Sequence, residues 1–222
     1  MMNGKVAEIF HSIQGEGLYQ GAGQVFIRLY GCNLHCAFCD TPLGEFREMS
    51  ADELCAELEK YPRQLPLSLT GGEPLLQAEF AAEVLRLVKH TGRQVHLETN
   101  GTLPDEFALV EKYVDFVAMD FKLPSSARCG TLWERHRDFL DKAKAKPMCV
   151  KTVIGPRTRF RDVARAVELI RAAQEKIPLI LQPQHPYEER LESRLFRWAA
   201  ACESRGVETR IIGQLHAQLG IR

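Results

Sequence analysis

Residues 65–99 read LPLSLTGGEPLLQAEFAAEVLRLVKHTGRQVHLET, and their pattern decides the fold. Leu65 to Thr70 is a short apolar run flanked by Pro and Gly, which predicts a strand. From Glu79 to His90 the residues Phe80, Val84, Leu87 and Val88 recur at helical spacing, and Gln94 to Leu97 is again strand-like. Strand, turn, helix and strand joined by short connections make a βα unit feeding a parallel sheet.

The same alternation extends in both directions. Strands are predicted at Val25 to Tyr30, Val114 to Met119, Met148 to Ile154, Ile177 to Leu181 and Val207 to Ile212. Helices are predicted at Ser50 to Lys60, Pro104 to Lys112, Leu132 to Ala145, Arg161 to Gln174 and Arg190 to Ser204. Ser50 followed three residues on by Glu53 is a capping box, and Pro104 suits a first helical turn. About six βα units fit the 222 residues, whereas a full barrel of eight takes roughly 250. The expected fold is α/β, an incomplete (β/α)6 TIM-like barrel, with residues 1–222 as one domain.

Composition narrows the function. Hydrophobic residues make up 45% and charged residues 26%, ordinary for a globular enzyme. Lys+Arg and Asp+Glu are both 29, so no basic excess points to nucleic acid or a membrane surface. No apolar run approaches the roughly 18 residues of a membrane span, and Met1 to Phe10 lacks the pattern of a secretory signal. The expectation is a cytoplasmic protein, where disulfides rarely persist and seven cysteines call for another explanation. Cys32, Cys36 and Cys39 crowd into eight residues, while Cys55, Cys129, Cys149 and Cys202 are scattered and read as structural, Cys129 being the one expected to be exposed.

In parallel α/β folds the working residues follow the C-terminal ends of strands. Thr70 to Glu73, Glu98 to Gly101, Asp120 to Lys122 and Gln182 to His185 all stand there, as does the loop Gly31-Cys32-Asn33-Leu34-His35-Cys36-Ala37-Phe38-Cys39-Asp40-Thr41. Its C-x3-C-x2-C spacing offers three soft thiolates, suited to iron–sulfur or zinc. Structural zinc wants four ligands, and no fourth Cys or His stands at a matching distance. Three thiolates on a cubane leave one iron open to a small molecule.

C-x3-C-x2-C with an aromatic, Phe38, before the last Cys resembles the signature of the radical S-adenosylmethionine (SAM) superfamily. That resemblance implies a [4Fe–4S] cluster on Cys32, Cys36 and Cys39 and SAM on its open iron, as source of a 5′-deoxyadenosyl radical. It assigns SAM contacts to Phe38, to Gly72 and Glu73 of the GGEP turn, and to Glu98, Asp120, Lys122 and Gln182. Val150 to Gly155 looks like the segment that packs on adenine; a plain core strand is the other reading.

Phe10 to Gly17 (FHSIQGEG), Phe26 to Leu29, Cys39-Asp40-Thr41 and the tail Gln214 to Gly220 together resemble the 7-carboxy-7-deazaguanine synthase family over nearly the whole chain. The family converts 6-carboxy-5,6,7,8-tetrahydropterin to 7-carboxy-7-deazaguanine with loss of ammonia, a step toward queuosine and tRNA modification. The resemblance implies Mg²⁺ held by Thr41. It places substrate contacts at Ile13, Gln14, Gly15, Glu16, Arg28, Thr70 and His216, and gives Arg28, Glu16 and Thr41 the catalytic roles. A flavodoxin or ferredoxin as electron donor and a homodimer are implied in the same way. Arg28 also stands out on its own, as a cation inside an apolar strand that must meet an anion, either a substrate carboxylate or an internal Glu. Thr41 by itself would read as a capping hydroxyl.

Two features depart from the family pattern. Ala127 to Arg137 (ARCGTLWERHR) is basic and carries a Cys, and Gly213 stands where a Pro is expected. Two rival functions remain on the residues. A glycyl-radical-enzyme activating enzyme would share the short core but not the QGEG and CDT segments, and a non-catalytic zinc-binding protein would be colourless.

Overall fold

The computed structural model describes residues 2–41, 44–174, 176–186 and 189–220. In chain order its elements are β1 (Asn3–Ile13), β2 (Gly23–Leu29), β3 (Arg47–Ser50), α1 (Ala51–Leu58), β4 (Leu67–Gly71), α2 (Ala78–Lys89), β5 (Val95–Thr99), α3 (Pro104–Val110), β6 (Phe116–Asp120) and α4 (Pro124–Ala127). There follow α5 (Trp133–Ala143), β7 (Met148–Ile154), α6 (Phe160–Ala173), β8 (Leu179–Pro183), α7 (Glu192–Glu203), β9 (Thr209–Ile211) and α8 (Leu215–Leu219).

The strands form one sheet in the order β3-β1-β2-β4-β5-β6-β7-β8-β9. From β2 onward every pairing is parallel, so successive βα units step across the sheet in chain order. Its end strands β3 and β9 are not paired with each other, so the sheet stays open as an incomplete barrel. Each parallel strand falls on a run expected from sequence.

Two strands were not expected. β1 pairs antiparallel with β2 and β3 antiparallel with β1, extending the sheet at its N-terminal edge. Much of β1 is half-buried and its register shifts between Val6 and Glu8, so it lacks the continuous apolar run that marks a parallel strand.

The core lies between the helices and one sheet face. α6 buries Val163, Ala166, Val167 and Ile170, the face read from its periodicity. On α2 the buried set is Ala78, Phe80, Ala81, Val84, Leu85 and Val88, with Leu87 only half-buried. Each such side chain contributes about 1.5–3 kcal/mol when fully buried. The α1 capping box forms as expected: the Ser50 Oγ accepts from the Glu53 N–H at 3.3 Å, and the Glu53 carboxylate accepts from the Ser50 N–H at 2.8 Å. Gly71 has a steric reason, because a Cβ there would overlap the Leu29 carbonyl of neighbouring β2. No described helix is long and apolar enough to cross a membrane.

Candidate active site

Parallel pairing carries the C-terminal ends of β2 and β4 to β8 to one end of the sheet, where a cavity of about 530 Å³ opens. Cys32, Cys36, Phe38, Cys39 and Thr41, from the loop after β2, line it.

That loop is fastened from several sides. The Glu73 N–H donates to the Gly31 carbonyl at 2.9 Å, and the Ala37 N–H to the Ala127 carbonyl at 2.8 Å. The Asn33 side chain donates to the Thr102 Oγ1 at 2.9 Å and accepts from the Asn100 Nδ2 at 2.8 Å. The basic segment 127–137 therefore starts as a clamp on the cysteine loop. Arg128 caps α4 in the left-handed region with φ 59°, and Cys129, half-buried, hydrogen-bonds beside Cys36. Burial raises the Cys32 thiol above its ordinary pKa and pushes Cys36 up to about 12, so metal binding must displace protons.

The three sulfurs are spread more widely than the ligands of a single zinc ion. Two thiolates on one zinc stand within roughly 4.6 Å, twice the Zn–S bond. Among the described residues, the one group of three or more Cys, His, Asp or Glu ligand atoms lying within 4.8 Å of one another is Glu16, Asp40 and His216, not the cysteines.

Next to the cysteines stand Asp120, at the end of β6, and Lys122. The Asp120 Oδ2 accepts from the Lys122 Nζ at 2.8 Å and from the Lys151 Nζ at 3.0 Å, and Lys122 lies 5.3 Å from the Phe38 ring. Burial alone would raise the Asp120 pKa, but the two ammonium groups lower it on balance. The Asp120 Oδ1 and the Gln182 Oε1 are buried without a partner. Both residues line the cavity. Unpaired buried acceptors are costly, so these two fit a ligand that brings hydroxyl or amino donors, as SAM does. Gly72 lines the cavity too, whereas Glu73 does not. Fully buried, Glu73 accepts from the Thr99 hydroxyl and from the Asn100 and Leu75 N–H groups, and so braces the Gly71-Gly72 turn from behind.

Ile13, Gln14, Gly15, Glu16, Arg28, Thr70, Glu98 and His216 all line the cavity. The Glu98 carboxylate accepts from the Gln14 Nε2 at 2.7 Å, the Ser68 hydroxyl at 3.0 Å and the Thr70 hydroxyl at 2.9 Å. Glu98 thus stands with residues assigned to substrate, although its own assignment was to SAM. Arg28, in register with Thr70 on the neighbouring strand, pairs loosely with Glu8 at 3.6 Å among the described residues. Its guanidinium lies 5.7 Å from the Phe10 ring.

Glu16 ion-pairs with Lys151, and its Oε1 accepts from the Gln214 Nε2 at 2.8 Å and the Gln182 Nε2 at 3.2 Å. Burial would raise its pKa, but Lys151 chiefly, with Gln214, lowers it, so Glu16 is ionised. Gln214 also donates to Asp40 at 2.8 Å, tying the tail to the cysteine loop. The Leu215 N–H donates to the Gly15 carbonyl at 2.8 Å, and a Cβ at Gly15 would collide with the His216 ring. The tail thereby closes one wall of the cavity. Glu16, Asp40 and His216 bring ligand atoms within 4.8 Å of one another, and Asp40 precedes Thr41 in sequence; the two carboxylates are donors of the kind Mg²⁺ takes, and the imidazole is not.

Sequence reasoning read Lys151, Gln214 and Asp40 only inside longer segments and gave none of them a role of its own. Lys151 carried the signal that singled out Arg28, a cation within an apolar strand.

A family model described as the radical SAM superfamily matches residues 26–196. The chain is 38% identical over 203 residues to the 7-carboxy-7-deazaguanine synthase of Geobacter sulfurreducens, across 81% of each chain. It is 32% identical to the 7-carboxy-7-deazaguanine synthase of Methanothermobacter thermautotrophicus, across 100% of this chain and 99% of that one. Among solved structures it is similar to QueE from Escherichia coli, with a TM-score of 0.66 and 22% identity over 95% of this chain and 94% of that one, a likeness of fold.

Proposed function

The chain belongs to the radical SAM superfamily and, within it, to the 7-carboxy-7-deazaguanine synthases, and on that premise we propose that it converts 6-carboxy-5,6,7,8-tetrahydropterin to 7-carboxy-7-deazaguanine with loss of ammonia and with help from Mg²⁺. The carrying observation is one cavity lined both by the three cysteines and by Arg28, Gln14, Thr70 and Glu98. When bound, the cluster on Cys32, Cys36 and Cys39 and SAM supply the radical that abstracts hydrogen.

The chain's own residues bind and orient. Arg28, only loosely paired at 3.6 Å, grips the substrate carboxylate through its guanidinium fork. Glu16, kept ionised by Lys151, accepts hydrogen bonds from the guanidine-like edge of the pterin, with the backbone of Ile13 to Gly15 beside it. Glu98 and Thr70 offer further polar contacts to the substrate, and His216 holds the tail wall over it. Gly72, Phe38, Asp120, Lys122 and Gln182 face SAM, with Glu73 supporting from behind. Thr41 would hold Mg²⁺, which would supply positive charge to steady the substrate carboxylate. A one-electron donor of flavodoxin or ferredoxin type and a homodimer belong to the same reading.

Anaerobic turnover of the carboxy-tetrahydropterin, followed by the deazapurine chromophore, tests the proposal. Product should form, rise with added Mg²⁺ and lose that stimulation in Thr41→Ala. Absence of deazapurine from protein carrying a full cluster would refute it. Activation of a glycyl-radical enzyme instead would establish the rival reaction.

A further inference from the structure

Four charged side chains meet in the cavity wall: Glu16, Asp120, Lys122 and Lys151. Two carboxylates and two ammonium groups make a neutral set. Their side chains are only 23%, 13%, 16% and 14% exposed, so each depends on the others for solvation. Lys151 is the member that reaches two ways. It projects from β7 on the same face as Cys149 and Val153, which also line the cavity. It pairs with Asp120, its register partner on β6, at 3.0 Å, and with Glu16 in the loop between β1 and β2.

We propose that Lys151 is a positioning residue that fixes the substrate-side carboxylate Glu16 against the cofactor-side carboxylate Asp120, and so sets the placement of the pterin relative to SAM. This rests on the function proposed above. Radical hydrogen abstraction needs the reacting carbon close to the abstracting centre, and small misplacements are costly in rate. Removal of Lys151 falls unequally on its partners. Asp120 keeps Lys122 at 2.8 Å, whereas the hydrogen bonds left to Glu16 among the described residues come from the neutral amides of Gln182 and Gln214, with the His216 ring within 4.8 Å. A buried carboxylate without a cation is strongly disfavoured. Loss of Lys151 also leaves the quartet with one net negative charge where an anionic substrate must enter.

The test uses cluster-loaded enzyme and the variants Lys151→Met and Lys151→Arg. SAM affinity is read from perturbation of the cluster spectrum, and pterin affinity by equilibrium dialysis with SAM present. In Lys151→Met, pterin binding should weaken by about tenfold or more while SAM binding stays within about threefold. The ratio of 5′-deoxyadenosine released to deazapurine formed should rise, because the radical is made but misdirected. Lys151→Arg, which keeps the charge, should recover most of both, and Glu16→Gln combined with Lys151→Met should bind pterin no worse than Lys151→Met alone. Lys151→Met that binds pterin as tightly as wild type, or that loses SAM and pterin in step, overturns the role given to Lys151. Wild type that binds the pterin without making deazapurine refutes the reaction proposed above, and Lys151 is then judged from the two affinities.

Discussion

The protein should be almost indifferent to pH between 8 and 5 in one part of its core, because two buried groups that contact the same residue titrate with opposite signs. Glu73 accepts from the Asn100 N–H at 2.7 Å, and the His136 Nε2 lies 3.2 Å from the Asn100 carbonyl. Burial raises Glu73 from 4.5 to about 7 against the opposing pull of its N–H donors, and burial lowers His136 from 6.5 to about 4. A raised acid contributes stability that is complete below its unfolded pKa and gone once the pH passes its folded value. Acidifying from pH 8 to 5 therefore gains about 2 kcal/mol from Glu73, at 1.36 kcal/mol per unit. A depressed base contributes stability that is complete above its unfolded pKa and is lost as the pH falls toward its folded value. The same acidification therefore loses about 2 kcal/mol from His136. His136→Phe keeps a ring on Phe121, on which His136 stacks at 4.5 Å, but removes the base. Relative to wild type, it should gain about 2 kcal/mol on going from pH 8 to 5, and Glu73→Gln should lose about as much. Urea unfolding of the three proteins at both pH values measures this, since all other titrating groups are shared. An unchanged pH dependence in His136→Phe, or a gain on acidification in Glu73→Gln, refutes the reasoning.

Gly71→Ala should cost about 2–3 kcal/mol in urea unfolding, because its Cβ meets the Leu29 carbonyl and the backbones of two paired strands must separate. Ser50→Ala removes one half of the α1 capping box and should cost about 1 kcal/mol with turnover unchanged, which separates it from any variant in the cavity. Gly15→Ala should cost about 1–3 kcal/mol, since its Cβ strikes His216 from the ring down to its own Cβ and the short terminal helix has to shift. Its KM for the pterin should also rise, because the His216 ring is driven from its place; an unaltered KM would free His216 of any part in binding.

The parallel sheet was legible because each of its strands is a short apolar run and each following helix is amphipathic, both purely local patterns. β1 escaped notice because it pairs antiparallel near the sheet edge and mixes half-buried polar and apolar residues, so its identity depends on β2, which follows across a loop. Family resemblance gathered residues that the structure does bring to one cavity, from Ile13 to His216. It assigned Glu98 and Glu73 by motif, but motif position does not give side-chain direction. Glu98 points among Gln14, Ser68 and Thr70, and Glu73 turns into the protein behind its own turn.

The oversight of Lys151 has a different cause. Arg28 and Lys151 are both cations within apolar strands, and each demands an anion by the same solvation argument. Arg28 meets its internal carboxylate only at 3.6 Å and keeps 23% of its side chain exposed, which supports the substrate contact proposed for it. Lys151 is already satisfied by two carboxylates, from residues 16 and 120, that no local pattern connects to position 151. A cation in a strand therefore signals a site from sequence alone, but whether it binds the ligand or aligns the groups that do depends on which anions the fold brings to it. In this chain the difference lies between a loose pair at Arg28 and, at Lys151, a tight one that joins a loop carboxylate to a carboxylate at a strand end.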